Sequence, residues 1–120
     1  MLGACQSQGV TKPVPQTVIG TVTTPTVTFP VVAAFHLKGD ATKGKTTFLG
    51  NCGSCHTLAD AGTTGTFGPN LDSIKPDYQA ATAQVTNGGA SMPPFGDSLS
   101  DQEIADVAAY VVTATGGTAP

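Results

Sequence analysis

Apolar residues recur at helical spacing most clearly near the C-terminus, where Ile104, Val107, Ala108 and Val111 fall at i, i+3, i+4 and i+7, one face of an α-helix. In front of them Ser100-Asp101-Gln102-Glu103 is a capping box, Leu99 and Ile104 are placed as a hydrophobic staple, and Gly116-Gly117 ends the run. Two further helices are predicted. The first starts behind Asp40, a good N-cap, and runs toward Gly50, with Gly44 and Phe48 four apart on one face. The second covers about 76–86, with Pro76 as a pre-organised first-turn residue and Asn87-Gly88 as the stop.

The first third of the chain differs in kind. Residues 6–34 hold Pro13, Pro15, Pro25 and Pro30 among repeated Thr and Val, as in Thr21-Val22-Thr23-Thr24-Pro25-Thr26-Val27-Thr28. The alternation invites a strand, while the prolines keep any strand short or at an edge. This predicts an extended tether over residues 1–37 ahead of a helical domain over 38–120. At roughly 3.1 Å per residue a stiff tether of that kind spans tens of ångströms. Residues 58–71 are rich in Gly and Thr and are predicted as a loop. Three predicted helices make all-α the expected fold class.

Composition narrows the class. The 120 residues carry five lysines, no arginine and eight acidic residues, for a formal net charge of −3. Neither a polybasic patch nor phosphate-binding arginines are on offer, which argues against nucleic acid and anionic membrane surfaces as partners. Lys38, Lys43 and Lys45 gather near the first helix and read as a solvated face, with a small docking patch as the alternative. Aromatics make up only 6%, Trp is absent, and the other apolar residues are mostly Ala, Val and Leu. A domain of about 80 residues with so little bulk has a marginal core, so folding is expected to depend on a cofactor. No apolar run approaches membrane-spanning length; Val31-Val32-Ala33-Ala34-Phe35 is the longest clean one.

Cys52-Gly53-Ser54-Cys55-His56 supplies a candidate for that cofactor, because C-x-x-C-H is the attachment motif of a c-type haem. Two thiols three positions apart reach the two vinyl groups along one porphyrin edge, and the adjacent imidazole meets the iron. Cys52 and Cys55 are thus the thioether candidates and His56 the proximal ligand. Structural zinc needs a second ligand pair at a distance, and Cys5 and His36 stand in poor positions to provide it. A thioredoxin-like dithiol belongs to a βαβ context that this chain lacks.

A second iron ligand is offered by Gly88-Gly89-Ala90-Ser91-Met92-Pro93-Pro94-Phe95. Proline fixes φ and holds the preceding residue extended, so Met92 sits on stiff backbone among glycines and prolines, where a core-filling methionine has no helix to pack from. His36 is the competing distal ligand. It precedes the first helix, however, and reads as a surface or hinge histidine.

In this order the segments resemble the class I monohaem cytochromes c, especially the short bacterial ones, over about residues 38–116. Gly39-Asp40-Ala41-Thr42-Lys43-Gly44-Lys45 with Phe48 is similar to their first helix and Gly68-Pro69-Asn70-Leu71 to the segment below the haem. Met92-Pro93-Pro94-Phe95 is similar to the distal loop, and residues 99–112 to the C-terminal helix. The resemblance implies a class I cytochrome c fold of three or more helices around one covalent haem c. It also implies that the Pro69 carbonyl accepts a hydrogen bond from the His56 imidazole, and that Gly44 lets the C-terminal helix cross closely. Phe67 is a candidate for closing the pocket, and Tyr110 is expected to pack near Phe48 instead of relaying electrons.

With His56 and Met92 both bound, iron has no open position, and only an electron can be exchanged. No acid–base pair or nucleophile constellation lies near the motif, so no enzyme activity and no small-molecule substrate are expected. The reading is an electron-transfer protein with redox proteins as partners, either as a membrane-associated carrier or as a subunit of a membrane-bound respiratory or photosynthetic complex. The sparse charge suits a permanent assembly, with the tether lying against partner subunits. The alternative is a haem enzyme or gas sensor with a displaceable distal ligand. Leu2-Gly3-Ala4-Cys5 resembles a bacterial lipobox, which makes Cys5 a lipidation candidate. The expected location is then the outer side of a bacterial cytoplasmic membrane. The charged and apolar parts of an export leader do not precede Cys5, so Met1 is not expected to be the natural precursor start.

Overall fold

A computed structural model describes residues 29–120; Cys5 and most of the predicted tether lie outside the described residues. The described chain is all-α apart from one tiny hairpin. A 3-10 turn at Ala33–His36 is followed by α1 (Ala41–Asn51), strand β1 (Thr57–Leu58), a second 3-10 turn (Ala59–Ala61) and strand β2 (Thr63–Thr64). Then come α2 (Leu71–Ile74), α3 (Tyr78–Asn87) and α4 (Asp101–Ala114).

Local chemistry explains the helix ends. The Asp40 carboxylate accepts from the amides of Thr42 (2.9 Å) and Lys43 (3.2 Å) and starts α1. The capping box of α4 is present in both directions, with Glu103 N–H donating to Ser100 Oγ at 3.1 Å and Ser100 N–H to Glu103 Oε1 at 2.9 Å. Helix α3 begins at Tyr78 and not, as the sequence suggests, at Pro76. The Asp77 carboxylate takes the Ala80 amide at 2.7 Å and so becomes the cap, leaving Pro76 outside the helix. The stretch predicted as plain loop also holds more structure than expected. Thr57 pairs with Thr64 and Leu58 with Thr63 in an antiparallel ribbon, and Asn70 caps the single turn of α2 through the Asp72 amide at 2.9 Å.

The long helices cross at glycines. A Cβ on Gly44 would run into the Asp106 carbonyl of α4 and lie 2.8 Å from Tyr110 Cβ, so only glycine lets the two backbones meet. Phe48 and Tyr110 then pack edge to face at 5.8 Å between ring centroids. Asp106 is buried at this crossing, and its Oδ1 accepts from the Asp40 amide (2.8 Å) and Gln102 Nε2 (2.9 Å), which satisfies the carboxylate. One apolar cluster joins Ala34, Tyr78 and Ala81 to Ile104, Ala105, Ala108, Ala109 and Val112; the other gathers Phe48, Cys52, Leu58 and Leu71 against Val107, Tyr110 and Val111. Ala34 is fully buried, so the residues just ahead of α1 pack on the helical body as a turn. No helix among the described residues is long and apolar enough to cross a membrane.

Candidate haem site

Helix α1 ends by delivering Cys52, whose amide still donates to Phe48 O at 2.8 Å. A tight turn follows, in which the amides of Cys55 and His56 both donate to Cys52 O at 3.1 Å. Cys52, Cys55 and His56 thereby line one cavity of about 810 Å³, together with Met92, Pro69 and Phe67. Both thiols are free. Cys52 is buried, and burial, followed by the neighbouring Cys55, pushes its thiol up to about 11. Among the described residues no three of His, Cys, Asp and Glu gather as a metal cluster, and exposed His36 stands apart from the cavity with its ring against Phe35.

The imidazole is held by a clip formed from residues 57–69. Thr63 Oγ1 donates to His56 O at 2.8 Å and accepts the Leu58 amide at 3.1 Å, Thr57 Oγ1 donates to Gly65 O at 2.8 Å, and the Gly68 amide donates to Cys55 O at 2.7 Å. These bonds fold the segment back until the Pro69 carbonyl oxygen lies 2.8 Å from His56 Nδ1. A carbonyl can only accept, so Nδ1 carries a proton, and in the neutral ring this selects the tautomer whose Nε2 lone pair is free. Gly68 makes the approach possible, because a Cβ there would lie 2.7 Å from His56 Cε1.

Met92 is set by a turn of unusual backbone. Gly88 and Ala90 have φ of 66° and 49°, and Gly89 and Met92 exchange two backbone hydrogen bonds of 3.0 and 2.7 Å. The amides of Phe95 and Gly96 tie the far side of the loop to α3 through Val85 O (2.9 Å) and Thr86 O (3.1 Å). A Cβ on Gly88 would lie 2.6 Å from Met92 O, and Ala90 is a non-glycine residue in the left-handed region, an arrangement that costs energy and recurs at functional loops. Phe67 stands at the rim with 73% of its surface exposed.

The sequence missed four residues here. Gly68 and Thr63 position His56, Gln84 lines the cavity while its Nε2 holds Gly88 O at 2.9 Å, and Phe29 lines the cavity from ahead of the predicted domain. Only Gly68 carried a legible mark, its place before Pro69.

Two thiols, an imidazole with one free nitrogen and a thioether, set in an otherwise largely apolar cavity of this volume, fit a haem c in donor chemistry and in space. A family model described as cytochrome c oxidase, cbb3-type, subunit III matches residues 39–111. The chain belongs to the monohaem class I cytochromes c. It is 39% identical over 83 residues to cytochrome c6 of Diacronema lutheri, across 65% of this chain and all of that protein. The crystal structure of the c-type cytochrome SorU from Sinorhizobium meliloti superposes with a TM-score of 0.60 at 44% identity, covering 65% of this chain and 93% of that one. Cytochrome c6 from the diatom Phaeodactylum tricornutum gives a TM-score of 0.54 at 35% identity, covering 64% of this cytochrome and 95% of its own chain. This cytochrome is therefore an electron-transfer protein with one covalent haem c.

Proposed function

We propose that this cytochrome is a one-electron carrier without enzyme activity, in which Cys52 and Cys55 would form the thioethers to the haem and His56 and Met92 would hold its iron. The observation that carries this reading is the 2.8 Å approach of His56 Nδ1 to the Pro69 carbonyl, which supports Nε2 as the nitrogen offered to iron, while Met92 lines the same cavity. When bound, haem c supplies a one-electron iron couple whose reduced form a thioether ligand favours. Pro69 keeps the imidazole in one tautomer and orientation. The Gly88–Met92 turn holds the thioether on stiff backbone, and Phe67 covers part of the rim. With His56 and Met92 both holding the iron, no position would be left there for a small-molecule substrate.

We assign haem binding to residues 38–120 and read the preceding segment as a tether whose last residues are docked on the helical body. Residue types at Cys5 support a lipid anchor and a location outside the cytoplasmic membrane. The name of the matching family model, an oxidase subunit, supports redox partners within a membrane-bound complex. The test is an absorption spectrum with intact mass of protein purified from its native membrane. A mass heavier than the chain counted from Cys5 by one haem plus acyl groups, and a thioether–iron band at the red end of the oxidised spectrum, are expected. A mass equal to the polypeptide alone defeats the haem assignment. Rapid carbon monoxide binding at neutral pH defeats the carrier in favour of a sensor or enzyme.

A further inference from the structure

Phe29 lines the haem cavity although it lies ten residues ahead of the matched family region. Its neighbours Val32, Phe35 and Leu37 pack against the apolar core of α3 and α4, but Phe29 does not belong to that cluster; it is part of the cavity lining, which also includes Ile74, Pro76 and Ala80. Two side chains from the first turn of α3 hold this stretch by its backbone. Gln79 Nε2 donates to Phe29 O at 2.7 Å, and Tyr78 OH donates to Leu37 O at 2.7 Å. Between these pins Ala34 is fully buried and the Phe35 and Tyr78 rings lie 5.8 Å apart. Pro30 adds stiffness, since the residue before a proline is held out of the helical region.

We propose that residues 29–37 form a strap and that Phe29, clamped by Gln79, shields the haem cavity from water on the α2–α3 side, making it a positioning residue that tunes the redox couple. The inference rests on the haem reading given above. Its physical basis is that ferric iron carries one more positive charge than ferrous iron and gains more from nearby water, so an apolar cover favours the reduced form.

The test uses the full-chain holoprotein with four substitutions, read by midpoint potential and by the rate of reduction with ascorbate. Phe29→Ala is expected to lower the potential and to speed ascorbate reduction several-fold, with Phe29→Leu in between. Gln79→Met removes the donor without adding charge and is expected to move both readouts the same way. It should also raise hydrogen exchange across residues 29–37. Val31→Ala, at an exposed neighbour outside the cavity wall, is the control and should match the parent. If Phe29→Ala and Gln79→Met match the control in potential and rate, the strap proposal is overturned. Covalent haem and the red-end band in the parent protein are scored separately, so a failed haem reading is not mistaken for a failed strap.

Discussion

Where α1 meets α4, glycine lets backbone lie on backbone, aromatic rings close the gap, and the one buried carboxylate has two donors. On the other side of the molecule, residues 57–99 contribute two-residue strands, single helical turns, one three-turn helix and a glycine–proline loop around a cavity of about 810 Å³. The first region packs mainly on itself, and only one face of it, with Phe48, Val107, Ala108 and Val111, is turned to the cavity. The second is a wall built to be finished by something else. Its hydrogen bonds serve to aim His56 and Met92, and the volume that a core would fill is reserved.

The strongest way to break this contrast is to deny the chain its cofactor. Without haem the largely apolar walls of this cavity stand against water and lose the contacts that the macrocycle would make, which a small domain with a stability of about 5–15 kcal/mol has little margin to absorb. The Cys52→Ser/Cys55→Ser double variant is therefore expected to lose its near-ultraviolet circular dichroism and its cooperative melt. Amides of α1 and α4 should keep more protection from hydrogen exchange than those of the cavity wall. Equal loss in both halves would show that the crossing does not stand on its own.

The crossing can be broken directly at Gly44. Valine there drives a Cβ into the Asp106 carbonyl, which is backbone and cannot step aside. We expect the holoprotein to lose about 3 kcal/mol or more in denaturant unfolding, the upper range for overpacking. A loss below 1 kcal/mol would mean that the helices separate at little cost.

The two regions also differ in how much of them the sequence reveals. The periodic stripe and capping box of α4, and the Asp40 cap of α1, are local features, and local features survive into the structure. The start of α3 was misjudged because Pro76 and Asp77 are both acceptable openings and only the Ala80 amide decides between them. In the cavity wall, Cys52, Cys55 and His56 stand out by their fixed spacing and Met92 by its flanking glycines and prolines, and all four line one cavity. The clip that aims the imidazole is not, since Thr63 and Gly68 act through bonds that exist only once residues 57–69 have folded back. Phe29 is the extreme case. A phenylalanine in a Pro- and Thr-rich stretch reads as part of a tether, and only the Gln79 hydrogen bond across fifty positions brings it to the site.

Gly68 sharpens the contrast from the cavity side. An alanine Cβ there presses on the imidazole at 2.7 Å from Cε1, and the ring can yield only by lengthening its bond to Pro69. Gly68→Ala should cost about 2 kcal/mol in stability. It should also shift the midpoint potential, which a purely structural glycine such as Gly44 has less means to do. An unchanged potential would reduce the clip to packing.

The smallest expected effect lies back at the crossing. Burial first, then the 2.7 Å hydrogen bond to the Asp60 carboxylate and its charge, raise the Tyr110 phenol above its ordinary value of about 10. A phenol raised on folding favours the protonated form in the native state. Its contribution is complete below about pH 10 and is lost as pH climbs toward the raised value, because the unfolded chain ionises first. Tyr110→Phe removes the bond to Asp60, whose half-exposed carboxylate still has Lys45 at 3.7 Å, so at pH 7 the variant should lose only about 1 kcal/mol. Above pH 10 the two proteins should converge in urea midpoint. Some alkaline loss should remain in the variant, because Tyr78 is also raised, by burial and then by Asp106. Parallel curves through pH 11 would show that the Tyr110 hydroxyl is not a determinant of alkaline stability and that the crossing rests on packing alone.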